Sequence, residues 1–205
     1  MFKVSRLIDV DLNSQIQISL RKLLNEAFED DFSEEDWQHT YGGVRFLGHL
    51  DGHLISHGAV VPRKIEVDES DLIIGYVEGI AVAPTYWHKG YGSLLMAEIT
   101  SYCLSEFSLS MLSTSEKGFY RKHGWSDFEG MSYVPKDGVE IRSEDEDEGL
   151  MYLPGLSRNT GSPKRLFANL ESEIPGKSKR LESYYSVQSP SNHRTKYIGH
   201  WFQTE

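Results

Sequence analysis

Glu78 is the single carboxylate in the apolar run Gly75-Tyr76-Val77-Glu78-Gly79-Ile80-Ala81-Val82-Ala83-Pro84. Burying it is costly unless a cleft solvates it or a reaction uses it; an edge position facing water is the plainer account. Gly79 beside it marks a bulge or a close backbone approach within the strand. Downstream, His88-Lys89-Gly90-Tyr91-Gly92 reads as a glycine-rich turn that opens a helix. Glycines let backbone N–H groups approach an anion, and the helix N-terminus adds a favourable dipole. A phosphate-bearing cofactor beside a strand carboxylate points to group transfer.

Other chemistries fit less well. A dinucleotide fingerprint wants a third glycine where Leu95 stands, and no Walker A loop is present. His49, His53 and His57 recur every four residues, but the Asp51-Gly52 turn separates the first two. They cannot line one helical face, so no metal site is expected. Cys103 is the single cysteine, which excludes a disulfide framework and a Cys-based zinc site; burial as a small hydrophobe is its expected role. Tyr120, in Gly118-Phe119-Tyr120-Arg121-Lys122-His123-Gly124-Trp125, has the pattern of an amphipathic core aromatic.

The positioning elements follow from periodicity. Val4 to Val10 reads as a strand, and Ile16, Leu20, Leu23, Leu24 and Phe28 as a helix face capped by Asn13 or Ser14. Ser33 and Asp36 have capping-box spacing for a second, short helix that Gly42-Gly43 ends. Strands are expected from Val44 to Leu50, from Leu54 to Val61 and on to Val67, and from Leu72 to Val82. Asp51-Gly52 and Asp68-Glu69-Ser70-Asp71 supply the turns. A helix over 93–104, a strand from Phe107 to Leu112, a Ser115-capped helix from Glu116 to His123, and strands at Tyr133-Val134 and Leu150–Leu153 complete the body. The acidic run Glu144 to Glu148 reads as a solvated loop. This order predicts an α+β fold: a mixed, mostly antiparallel sheet flanked by helices, with a parallel crossover through the 93–104 helix.

Hydrophobic residues at 39% place the chain among globular proteins. Residues 1–154 carry 13 Lys and Arg against 27 Asp and Glu, whereas 155–205 carry 8 against 4. An acidic body argues against nucleic acid and suits a cationic small molecule. Domains are therefore expected at 1–154 and 155–205. The second is a mostly irregular extension that docks a short helix (Leu166, Phe167, Leu170, Ile174) and the Tyr197-Ile198 segment. With no signal-peptide pattern and no membrane-length apolar run, no membrane association is expected and a cytoplasmic location is.

Taken in order, these pieces resemble the GNAT acyltransferase superfamily. Trp87-His88-Lys89-Gly90-Tyr91-Gly92 is similar to its cofactor loop, with Trp87 in place of the usual Gln or Arg, and Phe119-Tyr120 followed by Gly124-Trp125 resembles a later signature. Asp31-Phe32-Ser33-Glu34-Glu35-Asp36-Trp37-Gln38-His39-Thr40-Tyr41-Gly42-Gly43 and Gly75–Gly79 look like the aminoglycoside 2′-N-acetyltransferases, a likeness spanning roughly residues 4–154.

That resemblance implies acetyl-CoA, with coenzyme A as product, held where two parallel strands splay. Backbone at Ile80, Ala81 and Val82 would hold pantetheine and polarise the thioester. Trp87, His88, Lys89, Gly90, Tyr91, Gly92 and Ser93 would form the pyrophosphate loop. It implies Glu78 as general base and Tyr120 as proton donor to the leaving sulfur. Asp31, Asp36, Trp37, Glu78 and Asp147 or Glu148 would face a polycationic acceptor. It also implies a homodimer. Another polyamine, a peptide N-terminus or a lysine could replace the aminoglycoside. A catalytically idle sensor of acyl-CoA or a cation is the reading from a different class.

Overall fold

The computed structural model describes residues 1–136, 139–156 and 161–168. The expected contributions of Leu170, Ile174, Tyr197 and Ile198 lie outside the described residues.

Strand β1 (Phe2–Ile8) leads through a 3-10 turn at Asp9–Asp11 into α1 (Ser14–Ala27). Asn13 caps that helix by accepting the Ile16 N–H at 2.9 Å. Helix α2 (Glu34–His39) has the full capping box, Ser33 and Asp36 satisfying each other's backbone N–H groups. Strands β2 (Val44–Leu50), β3 (His53–Val67) and β4 (Ser70–Val82) form a meander. Its two tight turns put Asp51, Gly52, Asp68 and Glu69 at positive φ, as primed hairpin turns require.

After a 3-10 turn at Pro84–Tyr86 come α3 (Tyr91–Glu106), β5 (Leu109–Ser113), α4 (Lys117–Arg121) and β6 (Ser126–Asp127). The chain continues through β7 (Met131–Lys136), β8 (Val139–Arg142), α5 (Glu144–Asp147), β9 (Leu150–Pro154) and β10 (Arg165–Phe167).

The described strands make one sheet with the path β6-β9-β5-β4-β3-β10-β7-β8. Because β3 is 15 residues long, β2 occupies its outer edge along 53–60 and β10 takes it at 66–67. Pairing is antiparallel except for β4 with β5 and β10 with β7. The β4–β5 pair is in register only at Gly75–Ser110 and Tyr76–Met111, although both strands run on. Beyond those rungs they splay.

Helices cover both faces. Phe46 packs with Leu95, Met96 and Ile99 of α3, while its neighbour Leu47 packs with Leu20, Leu24 and Trp37 of α1 and α2. Adjacent residues of a strand point to opposite faces, so this pair marks the two layers. Cys103 is buried on the α3 side, and burial pushes its thiol up to about 12.

Three local expectations are revised. Ser115 does not cap α4; the Thr114 hydroxyl accepts the Glu116 N–H at 2.9 Å instead. The acidic run contains the short helix α5, and β8 precedes it. Leu166 and Phe167, expected in a docked helix, belong to β10.

Candidate active site

The site begins at a defect in the β3–β4 ladder. Ala59 pairs with Glu78 and His57 with Ala81, so β4 carries one residue more than β3 over that interval. Gly79 supplies the left-handed turn with φ +58, and the bulge expected there is present. Its effect is visible in the packing. Val77 and Ile80 both join the α3-side core, and Ala81 joins the α1–α2 side. Without the extra residue, 77 and 81 would share a face.

Glu78 is 21% exposed and paired with the Arg63 guanidinium, which lies 4.4 Å from the Tyr76 ring. Burial pushes the Glu78 carboxyl above the ordinary glutamate value; Arg63 draws it back, and Asp36 of α2 pushes it up again. Arg63 uses Oε1. Oε2 remains for a second partner.

Behind the bulge lies a buried polar chain. Arg45 and His57 are both 0% exposed. Arg45 Nη1 donates to Thr40 Oγ1 at 2.7 Å and to His57 Nε2 at 3.2 Å, and His57 Nδ1 donates to Gly79 O at 2.7 Å. Asp9 stands 3.5 Å from Arg45 Nε, close enough for an ion pair and too far for a good hydrogen bond. The Trp37 and Tyr41 rings lie 4.9 and 4.6 Å from the guanidinium. Burial and the Arg45 charge press the His57 imidazole down to about 3, so it is neutral.

On the far side of the splay, Tyr120 is 5% exposed and hydrogen-bonded to Thr114, just past the end of β5. Burial holds its phenol well above the ordinary tyrosine value, so it stays protonated and able to donate. Thr114 N–H donates to Gly149 O at 2.8 Å, which places exposed Glu148 one residue from that junction.

Helix α3 opens at Gly90, φ +82, with no side chain capping it, and a Cβ there would meet nothing within 4 Å. The first N–H groups of a helix have no partner inside it, so Tyr91, Gly92 and Ser93 supply donors beside the open space at Gly90. These features fit an anionic phosphate group. His88 also adopts positive φ. Lys89 Nζ donates to Thr85 O at 2.8 Å, and the Tyr91 ring packs 5.1 Å from Phe2. Trp87 anchors the loop, because its indole N–H donates to Val82 O at 2.7 Å and so ties it to the end of β4.

The acceptor-side expectations divide. Asp31 is exposed at the approach to α2. Asp36 spends Oδ2 on the capping box yet still acts electrostatically on Glu78. Trp37, expected to offer an apolar surface, is instead 2% exposed with Arg21 and Arg45 over its ring. Asp147 does not stand free for an acceptor. Its Oδ1 accepts the Ser132 N–H at 2.8 Å and its Oδ2 pairs with Arg142. Burial opposes its ionised form, but those bonds hold its carboxyl below the usual aspartate range.

Arg63, Arg45, His57 and Thr114 carry no sequence signal that marks them as site residues. Only strand register brings Arg63 to Glu78, fifteen positions later in the chain. Among the described residues no three His, Cys, Asp or Glu side chains gather to hold a metal, and no helix is long and apolar enough to cross a membrane.

Comparison with known proteins follows the same lines. The model of the acetyltransferase (GNAT) domain matches residues 14–128. Over 147 residues the chain is 35% identical to an aminoglycoside 2′-N-acetyltransferase of Mycolicibacterium fortuitum, covering 70% of this chain and 75% of that one. A GNAT family N-acetyltransferase (YhbS) from Escherichia coli, solved with CoA, superposes with TM-score 0.59 at 14% identity, covering 82% and 89% of the two chains. A GNAT family acetyltransferase from Brucella melitensis, solved with acetyl-CoA, gives 0.54 at 13% identity over 80% and 94%. A probable N-acyltransferase from Enterococcus faecalis gives 0.53 at 17% identity. There the match covers 62% of this chain and spans only 33% of that longer protein.

Proposed function

The chain belongs to the GNAT acetyltransferase family, and from that premise we propose that it acetylates the 2′-amine of an aminoglycoside. Acetyl-CoA is the donor, supplying the acetyl group as an activated thioester. The observation that carries the site is Glu78: a partly exposed carboxylate beside a strand bulge, its carboxyl raised by burial and by Asp36 of the acidic segment. The likeness to the M. fortuitum enzyme is what supports this choice of acceptor.

An ammonium cannot attack a carbonyl, so the acceptor amine must first lose a proton. Glu78 takes it at Oε2, directly or through one water, while Arg63 keeps Oε1 and the carboxylate orientation. Tyr120, still protonated, gives its phenolic proton to the sulfur as the new C–N bond replaces the C–S bond, and the second proton lost by the acylated nitrogen returns the phenolate to phenol. Asp31, Asp36 and Glu148 favour further ammonium groups of the acceptor through charge-assisted contacts. The N–H groups at Tyr91 to Ser93, with the Lys89-Gly90 backbone, hold the pyrophosphate.

The test is thiol release from acetyl-CoA with 2′-amino aminoglycosides, their 2′-hydroxy analogues, spermidine and a lysine peptide. Turnover confined to the 2′-amino compounds is expected. Turnover only with spermidine or peptide overturns the acceptor and keeps the transfer; coenzyme A binding without any turnover favours the sensor.

A pH profile checks the base independently. Activity needs the ionised carboxyl, so kcat/KM should fall as pH drops through the raised Glu78 value. Arg63 holds that carboxyl down, so Arg63→Met should move the acidic limb to higher pH. A limb that stays put or moves lower contradicts Glu78 as the base.

A further inference from the structure

We infer that His57, held by Arg45 and Asp9, is a positioning residue for acyl transfer: it fixes the Gly79–Ile80 peptide so that the Ile80 N–H faces the splay between β4 and β5. The inference rests on the acyl-transfer reading above and adds residues that reading does not use.

The hydrogen-bond pattern allows one arrangement of the imidazole. Arginine has donors only, so His57 Nε2 accepts from Arg45 Nη1 at 3.2 Å. The hydrogen must then sit on Nδ1, which donates to Gly79 O at 2.7 Å. Arg45 cannot drift, because Thr40 Oγ1 accepts from the same Nη1 and Asp9 lies at 3.5 Å. The chain runs Asp9, Arg45, His57, Gly79 and crosses from the end of β1 through β2 and β3 to β4.

Gly79 is the position where such a clamp matters. Glycine populates left-handed and right-handed wells with similar ease, so the bulge alone does not fix which way the following peptide points. In a planar trans peptide the C=O of Gly79 and the N–H of Ile80 point in opposite directions. Drawing the carbonyl back onto His57 therefore turns the Ile80 N–H away from it. His57 shares the α1–α2 face with Leu47, its partner in register, and Ile80 packs on the α3 side. His57 belongs to β3, on one side of β4, so the donor is turned toward the other side, where β5 separates from β4. A donor fixed before the reaction stabilises developing negative charge without reorganisation cost. The fit behind Gly79 is close. A Cβ on it would stand 3.1 Å from Thr40 Cγ2 and 3.4 Å from the His57 ring.

The experiment uses acetyl-CoA carrying 13C at the acetyl carbonyl. Isotope-edited infrared spectra of the bound thioester read the hydrogen bond, calorimetry reads affinity, and turnover reads rate. The native protein should shift the carbonyl band to lower wavenumber. His57→Leu should return it toward the free value and lower kcat by about 100-fold, with acetyl-CoA affinity within about threefold. His57→Gln, whose amide can donate to Gly79 and accept from Arg45, should keep most of the shift and the rate. A folded His57→Leu protein with the native band and kcat overturns the inference, as does His57→Gln failing as badly as His57→Leu.

If His57→Leu does not fold, 15N NMR of the native imidazole decides: hydrogen on Nδ1 supports the clamp, and hydrogen on Nε2 overturns it. Failure to bind acetyl-CoA at all would sink acyl transfer and this inference together. Binding with an unshifted carbonyl sinks the inference alone.

Discussion

Glu78→Gln is expected to lower kcat by about 10²- to 10⁴-fold, the range a positioned general base contributes. The amide is isosteric, and its oxygen can still accept from Arg63, so the local geometry survives. What it loses is the capacity to take a proton at Oε2. Stability should not fall. Burial raises the Glu78 carboxyl, which means folding opposes its ionisation and the folded state binds the proton more tightly. Stability therefore declines as pH rises through the raised value, and a neutral amide escapes that cost. An equal or higher Tm at pH 7 alongside the lost rate would separate chemistry from folding. Full turnover with unchanged acceptor KM would show that the proton leaves by another route.

Asp9→Asn should have the larger effect on stability. Arg45 is fully buried, and Asp9, 24% exposed, is the carboxylate within ion-pair distance among the described residues. Asparagine can still accept the Gly42 N–H that Asp9 Oδ2 takes at 2.6 Å, so the substitution removes charge and little else. Leaving a buried cation without its counter-ion costs about 3–5 kcal/mol where the site is fully enclosed. The partial exposure of Asp9 reduces this to about 2–3 kcal/mol. For a chain of this size that is a drop in Tm of about 5–10 °C, readable by scanning calorimetry. An unchanged Tm would assign the balance of charge to the Trp37 and Tyr41 rings instead.

Much of this site is legible in the sequence because its signals are local. Ser33 and Asp36 announce a helix start by spacing alone, and the hairpin at Asp51-Gly52 needs only its own two residues. Gly79 after Glu78 foretells the bulge for the same reason. The Arg63–Glu78 pair and the Arg45–His57 chain depend on strand register, which no window of sequence contains. The four-residue spacing of His49, His53 and His57 mimics a helical metal site. In β3 only strand alternation counts, and it sends His57 inward beside Gly79. Trp37 shows the reverse difficulty. A tryptophan among acidic residues looks available for a ligand until the arginines that cover it are placed. Strands β8 and β10 are short, and β8 is largely exposed, so the alternation of Val139, Glu140, Ile141 and Arg142 is too brief to stand out beside the acidic run that follows.

Strand β10 has a consequence for how the molecule is put together in time. Among the described residues, the β7–β8 hairpin meets the rest of the sheet only through Arg165–Phe167. Arg165 reaches Glu66 and Glu140 at once, and Asp68 accepts the N–H groups of Lys164 and Arg165. During synthesis β7 and β8 leave the ribosome well before the residues that bind them to β3. The end of β3 at Glu66 and Val67, made earlier still, waits longer as an open edge, which is a template for pairing with another chain. Among the described residues the last-made strand is the latch, and until it closes the nascent protein is exposed to association with its neighbours.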